Sequence, residues 1–80
     1  MDNIKNIITI DPEILGGEPV FKNTRVPIET LFIHLEKGIS LDEFLQDFPS
    51  VERNLVIAVI EIAGKLVSSR KLDKIYEITA

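Results

Sequence analysis

The spacing of apolar residues along the chain predicts three helices in its middle part. The first runs from about residue 27 to 37, the second from about 41 to 48 and the third from about 51 to 67. Apolar residues recur three and four positions apart in each, which is the spacing of one helix face. These residues are Ile28, Leu31, Phe32 and Leu35; Leu41, Phe44, Leu45 and Phe48; and Leu55, Val59, Ile62 and Leu66.

Residues that favour helix ends stand at the borders of these segments. Pro27 fits the first position of a helix, where its missing N–H group is not needed. Gly38 is typical of the residue that follows a helix. Residues 40–43, Ser-Leu-Asp-Glu, form a capping box that starts the second helix. Pro49 ends that helix, and Ser50 is predicted to cap the third.

The third helix is apolar over an unusually large part of its circumference. A second stripe, formed by Val56, Ile60, Ala63 and Val67, runs beside the first, and Ile57 widens it. Such a helix lies at the centre of a bundle or also faces a second chain. Gly64 lowers helix stability by up to about 1 kcal/mol relative to alanine, so we expect it to mark a close packing contact.

The N-terminal part predicts a short β-hairpin instead of a helix. Residues 7–10, Ile-Ile-Thr-Ile, are β-prone. Residues 20–21 and 25–26 are candidate strands on either side of a turn at 22–24, in which Asn23 tolerates the left-handed conformation. We expect this hairpin to pack on the helical bundle. Residues 68–71 read as a loop, and residues 72–79 as a β-prone or partly disordered tail.

The composition narrows the class of protein. Eighty residues with 45% hydrophobic positions make one folded domain. The chain has no cysteine and one histidine, His34, so thiolate sites and multi-histidine metal sites are excluded. Its first residues lack the basic start and apolar run that are typical of a signal peptide, and its longest apolar run is far shorter than about 20 residues. We expect a soluble cytoplasmic protein that needs no cofactor and no metal and is not an enzyme.

The helix order is compatible with a helix-turn-helix, in which the second helix of the motif reads the major groove. Ser50, Arg53 and Asn54, at the start of the third helix, are then candidate DNA-binding residues, because arginine and asparagine pair with guanine and adenine edges. The formal charge of −4 opposes DNA binding. An ordinary solvated helix start remains an alternative for these residues.

The hairpin turn supplies the other candidate DNA-binding residues, which are Lys22, Thr24 and Arg25. Arg25 could be presented to DNA phosphates or to acidic residues of a partner. Alternatively, Arg25 bridges to helix carbonyls or to Glu29, and Thr24 binds the backbone of the turn.

Several fixed residues recur in order and at matching spacing with those of a known family. The chain resembles the domain of unknown function 433 family over about residues 7–67, in residues 17–21, 24–28, 38–43 and 48–49. It departs at residues 22–23, Lys-Asn, where that family usually has Arg-Gly. The resemblance implies a mainly α fold, with a short N-terminal β-hairpin before a three-helix, homeodomain-like helix-turn-helix bundle.

The same resemblance implies an antitoxin of a type II toxin–antitoxin system. The expected partners are a PIN-like ribonuclease toxin, operator DNA and a second copy of the chain. Residues 1–67 then form the domain, and residues 68–80 form a tail that binds the toxin. In that tail the partner-binding residues are predicted to be Arg70, Lys71, Lys74 and Tyr76. The alternative is a homodimeric protein-interaction module that does not bind DNA.

Overall fold

A two-stranded antiparallel sheet precedes four α-helices in the part of the chain that the computed structural model describes, residues 3–69 and 71–79. Two single turns of 3-10 helix, Ile4–Asn6 and Leu15–Gly17, flank the first strand. The elements are β1 (Ile8–Thr9), β2 (Val20–Phe21), α1 (Ile28–Glu36), α2 (Leu41–Asp47), α3 (Arg53–Val67) and α4 (Lys71–Thr79). The mainly helical fold with a short N-terminal sheet agrees with the prediction.

The strand pairing differs in detail from the predicted hairpin. β2 pairs with β1, with Ile8 opposite Phe21 and Thr9 opposite Val20. On its other side β2 makes a single bridge, between Val20 and Pro27. Residues 25–26 do not form a strand because Pro27 has no N–H group to extend the ladder and because α1 begins at Ile28.

The ends of α1 and α2 follow the predicted signals. After α1, Gly38 has φ of +78°. The amide of Gly38 donates to the Leu35 carbonyl at 3.0 Å and that of Ile39 to the His34 carbonyl at 3.0 Å, which is a Schellman ending. The Ser40 hydroxyl accepts from the Glu43 amide at 3.1 Å and caps α2.

The start of α3 differs from the prediction. α3 begins at Arg53, two residues later than expected, and its N-cap residue is Glu52, whose side chain makes no capping bond. Ser50 therefore does not cap the helix. Residues 48–51 form a turn closed by the Val51 amide, which donates to the Phe48 carbonyl at 3.0 Å. The connection between α2 and α3, residues 48–52, is one residue longer than the three- or four-residue turn typical of a helix-turn-helix.

The core lies where β2, α1, α2 and α3 meet. Phe21, Leu31, Phe44 and Val56 are fully buried there, and further apolar side chains from all three central helices pack around them. The rings of Phe21 and Phe44 are 6.1 Å apart, which joins the sheet to α2. Burial of these apolar side chains, aliphatic and aromatic, is the main source of stability in so small a domain.

The prediction of a β-prone or partly disordered tail at residues 72–79 is wrong, because these residues lie in α4. Leu72, Ile75 and Tyr76 are spaced i, i+3, i+4, and this helical period outweighs the β-branched content of the segment. α4 contacts α3.

The radius of gyration is 13.9 Å, larger than the ~12 Å expected for a compact chain of this length. Among the described helices, none has the length and apolarity to cross a membrane.

Candidate nucleic-acid interface and partner surface

The turn after β2 is fixed by hydrogen bonds to its own backbone. The Thr24 hydroxyl donates to the Phe21 carbonyl at 2.9 Å and accepts from the Val26 amide at 3.1 Å. The Thr24 amide also donates to the Phe21 carbonyl, at 3.0 Å. Asn23 has φ of +62°, the left-handed conformation expected for it. The hydroxyl of Thr24 thus already has partners in the turn, which agrees with the structural alternative for this residue.

The two basic residues of this turn, Lys22 and Arg25, differ in their contacts. The Lys22 ammonium donates to the Lys5 carbonyl at 3.3 Å, and Lys22 as a whole is partly buried. The Arg25 side chain is exposed, and its guanidinium makes no ion pair within residues 3–69 and 71–79. The predicted alternative in which Arg25 bridges to Glu29 is therefore not formed. Arg25 remains available to an anion from outside the chain.

Five of the six predicted DNA-binding residues lie together on one side of the molecule. One shallow groove is lined by the turn together with Ser50, and an adjoining groove links Lys22 and Ser50 to Asn54. The turn and the start of α3 thus form one continuous surface. We call it the turn face, defined by Lys22, Thr24, Arg25, Ser50 and Asn54.

The sixth residue, Arg53, lies apart from this surface. Its guanidinium binds the carboxylate of Asp42, in the first turn of α2. Both side chains are more than half exposed, so the pair is open to competition from another anion. Arg53 can reach DNA only after it exchanges Asp42 for a phosphate or a base edge.

The turn face is only weakly positive. Lys22 and Arg25 bring two positive charges, whereas the exposed side chain of Glu52 borders the same groove as Asn54. A single copy therefore offers few of the phosphate contacts that give affinity for DNA. Within the described residues no charged or polar side chain is fully buried, and no cluster of three acidic, histidine or cysteine side chains is placed to hold a metal ion.

The predicted partner-binding residues fall on or beside α4. Arg70 lies outside the described residues, and Lys71 is the first residue of α4. Lys74 and Tyr76 are exposed on that helix. The helix also exposes three apolar side chains that the prediction did not single out, with Leu72 37%, Ile75 58% and Ile78 83% exposed. Their helical spacing is the signal that could have identified them.

His34 has a structural role that its position in the sequence does not reveal. Its Nδ1 lies 2.8 Å from the Thr30 carbonyl, and because a carbonyl can only accept, Nδ1 carries the proton. The ring packs edge-on against Phe44 and Phe48, with centroids 5.4 and 5.5 Å away. His34 therefore holds α1 against α2.

The fold and these surfaces define a small, mainly helical domain with a short N-terminal sheet. The model of the family described as "Protein of unknown function (DUF433)" matches residues 8–63. The chain belongs to this family. The match covers both strands, the turn face and α3 as far as residue 63, and it leaves α4 outside.

Two relatives agree with this assignment. A crystal structure of a DUF433 member protein from Anabaena variabilis ATCC 29413 superposes with a TM-score of 0.63 at 26% identity, covering 96% of this chain and 72% of that one. The uncharacterized protein y4eO of Sinorhizobium fredii (strain NBRC 101917 / NGR234) is 38% identical over 48 residues, which is 60% of this chain. The aligned part spans about a fifth of that relative, 22% of its length.

Proposed function

We propose that this protein is the antitoxin of a type II toxin–antitoxin pair, which binds a PIN-like ribonuclease toxin through its C-terminal helix and operator DNA through the turn face. The observation that carries the proposal is the exposed apolar side of α4. Both activities belong to the cytoplasm, where the RNA substrate of the toxin and the operator are found.

The chemistry of α4 suits a protein partner. An amphipathic helix that lays its apolar face into a groove is a recurring mode of recognition between proteins. On α4, Leu72, Ile75 and Ile78 recur every three residues and are all exposed. Lys74 stands on the polar side of the same helix. A ribonuclease whose active site is built from carboxylates would attract Lys74 and the neighbouring Arg70 and Lys71.

The turn face provides the proposed DNA contacts. Arg25 has no intramolecular ion pair within the described residues and lines one groove with Lys22, and the adjoining groove links Lys22 to Asn54. Lysine and arginine would neutralise phosphates, and asparagine at the start of α3 would read an adenine edge. Arg53 would join them after it releases Asp42.

Co-purification with the product of the neighbouring gene tests the toxin contact. The full chain is expected to capture that product and to inhibit its ribonuclease activity. Ile78→Asp is expected to abolish both, because it places a charge in the apolar face. Ile33→Asp, at an exposed isoleucine of α1, is the matched control and should retain both. Capture by Ile78→Asp at the level of the unchanged chain would refute the α4 contact.

A gel shift with the DNA upstream of the gene tests the second contact, with and without the captured toxin. We expect a shift that weakens as salt is raised, since phosphate contacts release counterions. Absence of a shift under both conditions would remove DNA binding from the proposal.

Two features favour a second candidate function, a homodimeric protein-interaction module that does not bind DNA: the low positive charge of the turn face and the exposed apolar side chains of α3. The turn face carries few cations, Glu52 borders it, and Arg53 is engaged by Asp42. α3 also exposes apolar side chains on the side away from the core. A dimer in solution that captures a protein partner and shifts no DNA would establish this alternative.

A further inference from the structure

One side of α3 is apolar and uncovered, although this helix contributes most of its other apolar residues to the core. Ile57, Ile60 and Val67 are 44%, 36% and 62% exposed. They lie at i, i+3 and i+10, so they share one face of the helix. We call this surface the α3 stripe, defined by Ile57, Ile60, Gly64 and Val67.

Gly64 lies in the middle of the α3 stripe, seven residues after Ile57 and three before Val67. A β-carbon added there would meet nothing within 4 Å. The φ angle of Gly64 is not positive, so this residue does not adopt the left-handed conformation that favours glycine. Neither backbone geometry nor packing within the described chain therefore requires glycine, which is the poorest helix former after proline. The close contact that we expected at this position is not made with any of the described residues.

The charged residues beside the α3 stripe are complementary in charge to the same residues of a second copy. Glu61 and Lys65 follow each other by one turn on the same flank of the helix, and neither forms an ion pair within residues 3–69 and 71–79. When two identical helices pack antiparallel, the same flank of each lies against the other. Glu61 of each copy then faces Lys65 of the second copy, and two symmetric ion pairs form.

We propose that the protein forms a homodimer in which the α3 helices of two copies cross antiparallel at Gly64. The glycine lets the two backbones approach, and Ile60 of each copy, four residues before Gly64, packs beside Val67 of the other, three residues after it. The interface has twofold symmetry, as most homodimers have. It uses a surface of α3 distinct from the apolar side of α4 and from the turn face.

The dimer also sets the distance between the DNA contacts of the two copies, an inference that rests on the proposed DNA function. Asn54 precedes Gly64 by ten residues and lies about a quarter turn around the helix from the α3 stripe, on the flank that carries Glu61. The two copies of Asn54 would therefore lie on the same side of the pair. At 1.5 Å per residue they would be about 30 Å apart along the helix axes. Helix-turn-helix dimers bind half-sites about 34–36 Å apart, so the partner would be a DNA site with two such half-sites.

Sedimentation equilibrium of the full chain tests the dimer directly. The unchanged protein is expected to be dimeric at micromolar concentration, and Gly64→Gln to weaken association at least roughly tenfold by blocking the crossing point. Gly64→Gln is also expected to raise the helix content or the melting temperature, because glutamine is the better helix former. Ile33→Gln is the matched control and should leave the mass unchanged. A monomer, or a dimer unaffected by Gly64→Gln, would overturn the proposal.

Two further experiments fix the orientation. Glu61→Lys and Lys65→Glu should each weaken association, and the double variant should restore it; failure of that rescue would overturn the antiparallel crossing. The chain has no cysteine, so Gly64→Cys is expected to give a disulfide-linked dimer on mild oxidation, and Ile33→Cys is not. Equal cross-linking of both would overturn the proposal.

The dimer and the antitoxin role fail in different experiments. A dimer that shifts no DNA and captures no toxin would support the α3 interface and refute the antitoxin function. A monomer that still captures the toxin removes the interface alone.

Discussion

The guanidinium of Arg53 binds the carboxylate of Asp42, which ties the first residue of α3 to the first turn of α2. These two residues lie on either side of the connection that the helix-turn-helix reading places between the helices. The pair therefore sets the relative position of the two helix starts, and it keeps Arg53 from the turn face.

Asp42→Asn is expected to release Arg53 from its ion pair and to lower the stability of the fold only slightly. An exposed ion pair contributes about 1 kcal/mol or less, and the lost charge at the start of α2 contributes about as much again. Urea denaturation should show a decrease in the free energy of unfolding of less than about 2 kcal/mol. Affinity for upstream DNA should rise at low salt, because a cation is freed and an anion is removed.

The control for this change is Glu36→Gln, which removes one negative charge from an exposed position at the end of α1. It should alter DNA affinity less than Asp42→Asn does. Equal increases for both variants would mean that only net charge matters, and would contradict a role for Arg53.

Thr24→Val is expected to destabilise the turn face and the fold together. Valine keeps the shape of threonine but loses the two hydrogen bonds to Phe21 and Val26. At about 0.5–1.5 kcal/mol for each bond, unfolding should become easier by about 1–3 kcal/mol. Thr24→Ser retains the hydroxyl and should lose much less. If both variants unfold at the same urea concentration, the hydroxyl has no structural role.

Phe44→Ala is expected to unfold much of the protein at physiological temperature. Phe44 is fully buried and its ring packs against Phe21, His34 and Phe48. Removing a buried phenylalanine ring lowers stability by about 3–5 kcal/mol, a large part of the total for a domain of this size. Circular dichroism during heating measures the effect. Phe44→Leu should lose less, and equal losses would show that ring contacts contribute little.

Local signals predicted α1, α2 and α3 because the causes of these helices are local. The Ser40 cap, the Gly38 ending and the apolar spacing each act within one turn of helix, and the structure contains all three. The fold class also followed, since three such helices with short connections have few ways to pack. The grouping of Lys22, Arg25 and Asn54 was consistent with the predicted hairpin beside a helix start.

Contacts between segments that are distant in the sequence could not be predicted from local signals. That Phe21 lies opposite Ile8 depends on β1 returning across a connection of ten residues, and no pattern in β2 specifies it. The Arg53–Asp42 pair joins side chains eleven positions apart. α4 was misjudged because short β-branched segments suit both strand and helix until their packing against α3 is known.

Asn23→Gly is expected to leave stability unchanged or to raise it slightly. Asn23 has φ of +62°, and a left-handed conformation is unfavourable by about 1–2 kcal/mol for residues other than glycine, less for asparagine. Glycine removes this strain but adds freedom to the unfolded chain. Asn23→Val, with a branched side chain in the same conformation, should destabilise by more than about 1 kcal/mol. Similar stability of all three chains in urea would contradict the observed turn.

Arg25→Gln is expected to weaken DNA binding to about the same extent for every sequence, because a phosphate contact carries no sequence information. If each Arg25 neutralises one phosphate, the slope of log affinity against log salt should decrease by roughly one for each copy bound. Asn54→Ala should instead leave the slope unchanged and reduce the preference for the upstream site. Lys37→Gln is the control, since Lys37 is an exposed cation that lines neither groove of the turn face. If Lys37→Gln lowers the slope as much as Arg25→Gln does, the turn face is not the surface that binds DNA, and the overall field of the protein accounts for the attraction.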